Sequence, residues 1–233
     1  MKASFVRGHP AMKIGNALVI ADLHIGITQD IWKAGISLPS QVRKMAERVN
    51  RLKKKTRTKR LIILGDVKHM ITHATPREAK EIPDFLSMVK YRSIVIVKGN
   101  HDGEIESIVG RVPVRKSVGI GDYCLTHGHR RVITKKNHIV IGHNQPHVKL
   151  KDDMNAIYIE PVWVKGELKN GKELIIMPAF NELCGASIVN DMHFIGPVAK
   201  NILPSKAHSY LLDGTDLGAL DGLQKLESRT RRK

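Results

Sequence analysis

Apolar residues form short uninterrupted runs in the first part of the chain, and these runs alternate with a helical pattern of apolar and polar residues. Three runs, 17–21, 61–64 and 94–97, are rich in Ile, Val and Leu, as is typical of strands buried on both faces. Between the first two, apolar residues recur with a helical period over about 40–54, at Val42, Met45, Ala46, Val49 and Leu52. This alternation predicts a parallel sheet with helices packed on it.

Turn and capping signals mark the ends of these elements. A Gly-Asn pair between the apolar stretches 12–14 and 17–21 indicates a hairpin. The Thr-Pro-Arg-Glu stretch at 75–78 has the spacing of a capping box with proline in the first turn, which predicts the start of a second helix. Pro83 lacks an amide hydrogen, so we expect it to break or kink that helix.

Beyond Gly110 the apolar runs are shorter, and no long helical pattern separates them. They predict strands at 112–118, 122–126, 139–141, 157–164 and 174–177. A second sheet facing the first, with helices outside, would make a layered α/β sandwich. We expect a single domain over 1–213, followed by a basic, loosely held tail over 214–233.

Polar residues with metal-binding chemistry follow five of the predicted strands. Ligands collect beyond the carboxyl ends of strands in α/β sheets, so these residues are expected to meet. Any one group alone is equally well explained as a polar turn, because Asn, Asp and Gly favour turns. The five groups are Asp22 and His24; Asp66; Asn100, His101 and Asp102; His127 and His129; and His143, Gln145 and His147.

Carboxylate, imidazole and amide groups suit ions such as manganese, iron or zinc. The two cysteines, Cys124 and Cys184, lie in apolar surroundings and are expected to be small core residues rather than a disulfide. Two ions held about 3.5–4 Å apart by a shared carboxylate would clamp a phosphoryl group. A histidine that binds neither ion could then protonate the leaving oxygen.

The order of these motifs resembles the calcineurin-like metallophosphoesterases. That superfamily carries D-x-H, then G-D, then G-N-H-D/E, then H, then G-H-x-H, and the likeness runs from Asp22 to Pro146. The stretches 64–69 and 178–183 also resemble an archaeal branch related to the exonuclease subunits of break-repair complexes. The resemblance implies a four-layer α/β/β/α sandwich, in agreement with the layered arrangement expected from periodicity.

The resemblance also implies roles for individual residues. His101 would protonate the leaving group and Asp102 would orient it, whereas Asp66 would bridge two divalent ions. Manganese is the expected ion, with iron, nickel and zinc as alternatives. The other ligands would be Asp22 and His24 for the first ion, and Asn100, His127 and His143 for the second.

One position departs from the family pattern. Gln145 stands where the superfamily has the last histidine of G-H-x-H, which ligates the first ion. A glutamine amide can coordinate a metal, but it is a neutral and weaker ligand. His147 lies two residues further and would share a face with Gln145 in an extended segment, so either residue could complete the first site.

The formal net charge of +17 makes phosphate-rich partners plausible, including nucleic acid. Ten of the eighteen residues from Arg43 to Arg60 are Lys or Arg, which indicates either a nucleic-acid surface or a solvated helix face. Aromatic residues make up only 4% of the chain, so no base-stacking platform is expected. His129 either contacts phosphate or lies at the surface, and His69 and His73 either line the rim of the site or belong to an ordinary polar loop.

No apolar run approaches the roughly 18 residues that a membrane span needs, and residues 1–10 lack a signal-peptide pattern, so we expect a cytoplasmic protein. The leading hypothesis is a metal-dependent phosphoesterase acting on a nucleic acid, a nucleotide or a small phosphate ester. A catalytically weak scaffold of the same fold is the alternative that Gln145 supports, and the basic surface supports a nucleic-acid-binding module. The presence of His101 with Asp102 favours the enzyme hypothesis over the scaffold, because a scaffold has no use for an acid that protonates a leaving group. The sequence predicts no particular oligomeric state.

Overall fold

The computed structural model describes residues 2–223. The strands are β1 (Ala3–Phe5), β2 (Met12–Ile14), β3 (Ala17–Ile20), β4 (Arg60–Leu64), β5 (Ser93–Val97), β6 (Val114–Arg115), β7 (Val118–Ile120), β8 (Tyr123–Leu125), β9 (His138–Ile141), β10 (Pro146–Lys151), β11 (Ile157–Leu168), β12 (Glu173–Ile176), β13 (Ser187–Ile188), β14 (Ile202–Leu211) and β15 (Asp216–Ala219). The α-helices are α1 (Ile27–Lys33), α2 (Val42–Thr56), α3 (Pro76–Met88) and α4 (Gly196–Ala199). Short 3₁₀ helices cover Ile105–Ser107 and Val189–Asp191.

The first sheet contains six strands in the order β1 to β6. Strands β3, β4, β5 and β6 are parallel, and the predicted hairpin of β2 and β3 is antiparallel. Ile20 pairs with Ile63, and Leu64 pairs with Val97, so the carboxyl ends of the three central strands lie level with one another. The loops that follow these strands therefore begin at one edge of the sheet.

The second sheet contains nine strands and is of mixed direction. Strands β8, β9 and β12 run parallel, with Leu125 beside Val140 and Val140 beside Ile175. The long strand β11 pairs antiparallel with β10, β12 and β14. The carboxyl ends of β8 and β9 are thus neighbours, which brings the residues after them together.

Three apolar layers hold the sheets and helices in place. The two sheets enclose a central core that includes Ile62, Trp163 and Met177, each with no exposed surface. Helices α2 and α3 cover the outer face of the first sheet. Short segments that include Phe194 and Leu220 cover the outer face of the second sheet. This arrangement confirms the predicted α/β/β/α sandwich, with a thinner helical layer on the second side.

Several local predictions need correction. Helix α3 begins at the predicted capping box, in which Thr75 and Glu78 exchange hydrogen bonds, but it runs unbroken through Pro83. The buried side chains of Ile82 and Phe85 anchor the helix on both sides of the proline, which offsets the missing hydrogen bond. The single strand predicted over 112–118 is two short strands, β6 and β7, in different sheets.

The predicted tail from residue 214 onward begins inside the packed part of the structure. Strand β15 pairs with β14, and Leu220 and Leu223 are buried in the third apolar layer. The rest of the predicted tail, 224–233, lies outside the described residues, so the boundary between domain and tail stays a prediction. Among the residues described, no helix has the length and apolar character needed to cross a membrane.

Candidate metal centre

Both sheets contribute to one cluster of polar side chains. The loops after β3, β4 and β5 carry Asp22, Asp66 and Asn100 from the first sheet. The loops after β8 and β9 carry His127 and His143 from the second sheet. Hydrogen bonds join the loops directly, since the His143 amide donates to the Asp22 carboxylate at 3.1 and 3.2 Å. The residues predicted from the strand ends therefore do come together.

The Asp66 carboxylate lies at the middle of this cluster. Its Oδ2 is 3.2 Å from His127 Nε2 and 3.7 Å from His24 Nε2, and its Oδ1 accepts a hydrogen bond from the His101 amide at 2.9 Å. Two sets of potential ligand atoms share this carboxylate, and within each set the atoms lie within 4.8 Å of one another. One set is Asp22, His24 and Asp66; the other is Asp66, His127 and His143.

Asp22, His24 and Gln145 lie together on one side of Asp66, and we call this group the first half-site. Gln145 Nε2 lies 2.9 Å from His24 Nε2, so the glutamine amide reaches the position where the family pattern has a histidine. His147 Nδ1 instead donates to the Gln145 carbonyl oxygen at 2.9 Å. Among the described residues, the sets of converging ligand atoms do not include His147. This geometry favours Gln145 over His147 as the residue beside the first ion.

Asn100, His127 and His143 lie together on the other side of Asp66, and we call this group the second half-site. His127 Nδ1 donates to the Leu64 carbonyl oxygen at 2.9 Å, which directs Nε2 toward the centre. Asn100 Oδ1 lies 3.1 Å from that Nε2. The centroids of the His127 and His143 rings are 5.0 Å apart. An imidazole oriented by a backbone carbonyl is the usual arrangement of a metal-ligating histidine.

The backbone around the cluster is tightly constrained. A Cβ on Gly65 would overlap the His127 ring, and a Cβ on Gly99 would overlap the Asp66 carboxylate. Five non-glycine residues of the cluster also have positive φ, a conformation that costs free energy and concentrates at functional sites: Asp22, His24, Asp66, His143 and Gln145. The surrounding fold therefore holds these side chains in place at a conformational cost.

Burial and neighbouring charges shift the pKa values of the cluster in opposite directions. Burial raises the pKa of Asp22 to about 7, and the charge of Asp66 acts in the same direction. Burial lowers the pKa of His24 to about 3 and that of His143 to about 4. These two imidazoles are therefore neutral near pH 7, and the neutral form is the one that binds metals.

His127 and Asp66 shift each other's pKa values in opposite directions. Burial would lower the pKa of His127, but its hydrogen bond to Asp66 and the negative charge of Asp22 raise it to about 9. Burial would likewise raise the pKa of Asp66, but the hydrogen bond and charge of His127 hold it well below its usual range. Positive charge is thus strongly stabilised between these carboxylates.

His101 and Asp102 differ in part from their predicted arrangement. The His101 ring lies 4.8 Å from the His24 ring, and its Nδ1 donates to the His69 carbonyl oxygen. The buried Asp102 carboxylate accepts hydrogen bonds from the amides of Val67, Lys68 and Gly99 rather than from the His101 ring. Asp102 therefore joins the loops after β4 and β5, and it positions His101 through the backbone alone.

His69 has a larger part in the cluster than the sequence suggested. Its Nδ1 lies 3.3 Å from His24 Nδ1, and its Nε2 lies 3.1 Å from Asp30 Oδ2. A third set of converging ligand atoms comprises His24, His69 and His101. The one sequence signal was that His69 follows Asp66 by three residues in the same loop.

The loop that carries His69 is fixed by Glu78, for which the sequence predicts only a role in capping α3. Its buried carboxylate accepts hydrogen bonds from the amides of His69, Met70 and Thr75. By contrast, the exposed His73 pairs with Glu104 at 2.8 Å, away from the cluster. Of the two loop histidines, only His69 reaches the centre.

The donor set fits divalent metal ions. Its groups are carboxylates, imidazoles and amides, which suit manganese, iron, nickel or zinc. The nearby Cys184 is not a competing thiolate: burial raises the pKa of its thiol, and Sγ lies 3.7 Å from the Asp22 carbonyl oxygen. Both cysteines are free; Cys124 is buried as expected of a core residue, whereas Cys184 is only partly buried, which corrects that expectation.

A family model described as calcineurin-like phosphoesterase matches residues 15–182. The chain belongs to the calcineurin-like phosphoesterases. Members of this family are hydrolases that act on phosphate esters with the help of divalent metals, and the match confirms the resemblance found in the sequence. The likeness to the archaeal exonuclease branch stays a prediction. No curated protein sequence matches the chain significantly.

The chain is also similar to solved structures. The nuclease MPE of Pseudomonas putida is 22% identical, with a TM-score of 0.56 and coverage of 87% of each chain. Yfce, a phosphoesterase from E. coli, is 18% identical, with a TM-score of 0.41 and coverage of 87% of this chain and 96% of the other. The first of these similarities supports the phosphoesterase fold assigned above.

Proposed function

We propose that this calcineurin-like phosphoesterase hydrolyses phosphate diesters at a centre of two divalent ions, with manganese as the expected metal and iron, nickel or zinc as alternatives. The observation that carries the proposal is the position of Asp66. Its carboxylate belongs to both sets of converging ligand atoms, as a residue bridging two ions must. Asp22, His24 and Gln145 would complete one ion's ligands, and the ligands of the other would be Asn100, His127 and His143.

The ions would supply charge and an activated water, and the protein would hold the ligands in position. When bound, the ions supply Lewis acidity to the phosphoryl oxygens and acidify the attacking water. The Asp66 carboxylate fixes the spacing of the two half-sites. The Leu64 carbonyl keeps the His127 ring turned toward the centre. These residues thus set where the phosphoryl group is held before it reacts.

His101 would act on the leaving oxygen. Its amide donates to Asp66, which fixes the start of the side chain beside the centre. Its Nδ1 hydrogen is donated to the His69 carbonyl, so the ring would act in its imidazolium form, giving up the Nε2 proton and becoming neutral while Nδ1 keeps its hydrogen. Proton transfer from Nε2 would let the alcohol leave as a neutral molecule rather than as an alkoxide.

A diester substrate is favoured by two observations. The formal net charge of +17 suits a polyanionic substrate, and the similar protein from Pseudomonas putida is named as a nuclease. Nucleotides and small phosphomonoesters are the other substrates that this chemistry would accept.

The test compares the wild-type protein with Asp66→Asn. Wild type with manganese should hydrolyse an aryl phosphate diester, whereas Asp66→Asn should lose both turnover and one or both ions, measured by elemental analysis after dialysis. Asp122→Asn, which alters an exposed carboxylate bonded to Asn137 and outside the ligand sets, is the matched control and should keep its metal. An Asp66→Asn variant with unchanged metal content and turnover would disprove the bridging role.

A metal-binding scaffold without turnover is the second candidate, because Gln145 stands where the family pattern has a histidine. An amide is a weaker metal ligand than an imidazole. The same assay separates the two functions. A wild-type protein that binds two ions but hydrolyses no diester, monoester or DNA with manganese, iron, nickel or zinc would be such a scaffold.

A further inference from the structure

A groove of about 490 Å³ lies on the side of the metal centre formed by the ends of β5 and β8. That volume falls in the range of roughly 300–1,000 Å³ typical of ligand sites. Its walls come from the residues after β5, from the β6–β7 connection and from the loop between β8 and β9. The charged lining residues are Lys98, Glu106, Arg115, Lys116, Arg130 and Arg131.

The groove lies directly beside the metal centre. Thr126 lines the groove, and the next residue, His127, lies in the centre. His129 also lines the groove, while its ring centroid is 5.3 Å from that of His127 and 6.2 Å from that of His143. His129 Nδ1 is buried and has no hydrogen-bond partner within the described residues. A chain of phosphates could therefore pass from the groove to the centre alongside His129.

Most of the positive charge in the groove is not neutralised by the protein. Lys98 pairs with Glu106 at 2.7 Å, and Arg115 donates to the Val114 carbonyl oxygen. No carboxylate in the region 2–223 lies within ion-pair distance of Lys116, Arg130 or Arg131, and all three are exposed. A polyanion in the groove would supply the missing counter-charges.

The basic face of α2 is partly neutralised, because three of its seven Lys and Arg side chains form ion pairs with carboxylates. Arg43 pairs with Glu47, and Lys44 pairs with Glu182. Arg48 pairs with Glu182 and donates to the Phe180 carbonyl. These pairs reduce the positive charge that α2 offers to a polyanion, and α2 lies apart from the groove that borders the centre.

We propose that the groove binds the backbone phosphates of single-stranded nucleic acid next to the bond that is cleaved. The proposal rests on the proposed phosphodiesterase activity. It adds the class of substrate and the path by which the strand reaches the metal centre. Lys116, Arg130 and Arg131 contact phosphates. Ile133, whose side chain is fully exposed at the rim, contacts a sugar or base.

A single strand fits better than a duplex because the centre is recessed. Asp66 and His127 have 2% and 0% of their surface exposed. A flexible strand can bend a phosphate down to them, whereas a duplex holds its phosphates along a stiff rod. The groove has no aromatic lining, so it recognises the backbone and not the sequence of bases.

Binding to metal-free protein tests the groove independently of catalysis. The probe is a fluorescent thymidine oligonucleotide in EDTA, and anisotropy is followed over a range of salt concentrations. The variant combines Lys116→Gln, Arg130→Gln and Arg131→Gln. Its affinity should fall at least about tenfold, and the slope of log affinity against log salt should decrease by about 2, since three phosphate contacts are lost.

The matched control removes the same charge from α2 by combining Lys53→Gln, Lys54→Gln and Lys55→Gln. It should bind the oligonucleotide with the slope of the wild type. Equal losses in the two variants would show a general charge effect and overturn the groove. So would wild-type binding that inorganic phosphate abolishes at millimolar concentration, or a preference for the duplex of the same sequence.

Kinetics separate failure of the groove from failure of the proposed function. In the groove variant, kcat/KM for single-stranded DNA should fall about tenfold relative to kcat/KM for an aryl diester. An unchanged ratio with an active enzyme would reject the groove alone. Salt-dependent strand binding without hydrolysis of any ester would reject the proposed function and keep the groove.

Discussion

The two halves of the metal centre share one carboxylate but differ in what surrounds it. On one side of Asp66, His127 is fully buried and its ring is oriented by the Leu64 carbonyl. On the other side, the His24 ring faces another histidine and the neutral amide of Gln145. The second half-site thus contains two imidazoles, one of them oriented by a backbone carbonyl. The first half-site contains one imidazole and the amide of Gln145.

This difference predicts unequal metal affinities within one centre. An oriented imidazole is a stronger ligand than an amide, because its second nitrogen is held by a fixed partner that also raises its basicity. We therefore expect the ion at Asn100, His127 and His143 to be bound more tightly than the ion at Asp22 and His24. Four substitutions test whether the two half-sites differ in this way.

The largest effect is expected from His127→Ala. The substitution removes the oriented ligand of the second half-site, so affinity there should fall by more than about 100-fold, the upper end of what loss of an outer partner costs. Metal content after dialysis and diester turnover should both fall. Matched replacement of a histidine outside the centre, His138→Ala, should change neither. If His127→Ala retained both ions, the second half-site would be assigned wrongly.

His101→Ala should cause the next largest effect and should not change metal content. Loss of a positioned acid typically lowers the rate about 10²–10⁴-fold. The loss should be large for an alkyl or nucleoside leaving group, which needs a proton, and small for a nitrophenolate, which does not. Turnover of two esters that differ in leaving-group pKa measures this contrast.

Metal analysis of the same variant tests the assignment of His101 itself. The ring belongs to a set of converging atoms with His24 and His69, so loss of an ion from His101→Ala would make it a ligand rather than an acid. A uniform loss for both esters would also argue against proton donation.

Gln145→His should strengthen the weaker half-site. Exhaustive dialysis of wild type should leave less of the first ion than of the second, and the substitution should bring the two occupancies closer together. The neighbouring Asn144 hydrogen-bonds Gly142 and Ile195 and provides a control position at the same loop. Equal occupancy in the wild type would remove the asymmetry from which this prediction follows.

The smallest effect is expected from His147→Ala. Because His147 Nδ1 donates to the Gln145 carbonyl, the substitution removes a hydrogen bond worth about 0.5–1.5 kcal/mol of stability without removing a ligand. Metal content should stay that of the wild type, and unfolding by urea should report the loss. A marked loss of the first ion would show that His147 binds it in place of Gln145.

Much of the site was accessible from the sequence because ligands follow strands. The runs before Asp22, Asp66 and Asn100 are continuous and apolar, and a parallel sheet brings the ends of such strands to one edge. The same periodicity predicted α2 within two residues at each end and the start of α3. These features depend on the spacing of apolar and capping residues within a short stretch of chain, and that spacing can be read directly in the sequence.

Tertiary structure alone decided which partner each polar group has. The sequence placed Asp102 next to His101, but the fold turns its carboxylate toward the amides of Val67 and Gly99. It likewise left Gln145 and His147 as alternatives, which differ only in the direction that each side chain takes from β10 and the turn before it. Hydrogen-bond partners far apart in the chain are selected by packing, and spacing carries no information about them.

The family, the layered fold and the types of ligand could therefore be predicted from the sequence, because motif order and apolar periodicity depend only on the order of residues along the chain. The structure pairs Arg43, Lys44 and Arg48 of α2 with carboxylates, whereas Lys116, Arg130 and Arg131 face a groove beside the centre. A run of cations is conspicuous in a sequence, but cations from separate loops form one surface only after folding. The physical reason is that electrostatic potential depends on distance in space, and the chain sets that distance only through its tertiary contacts.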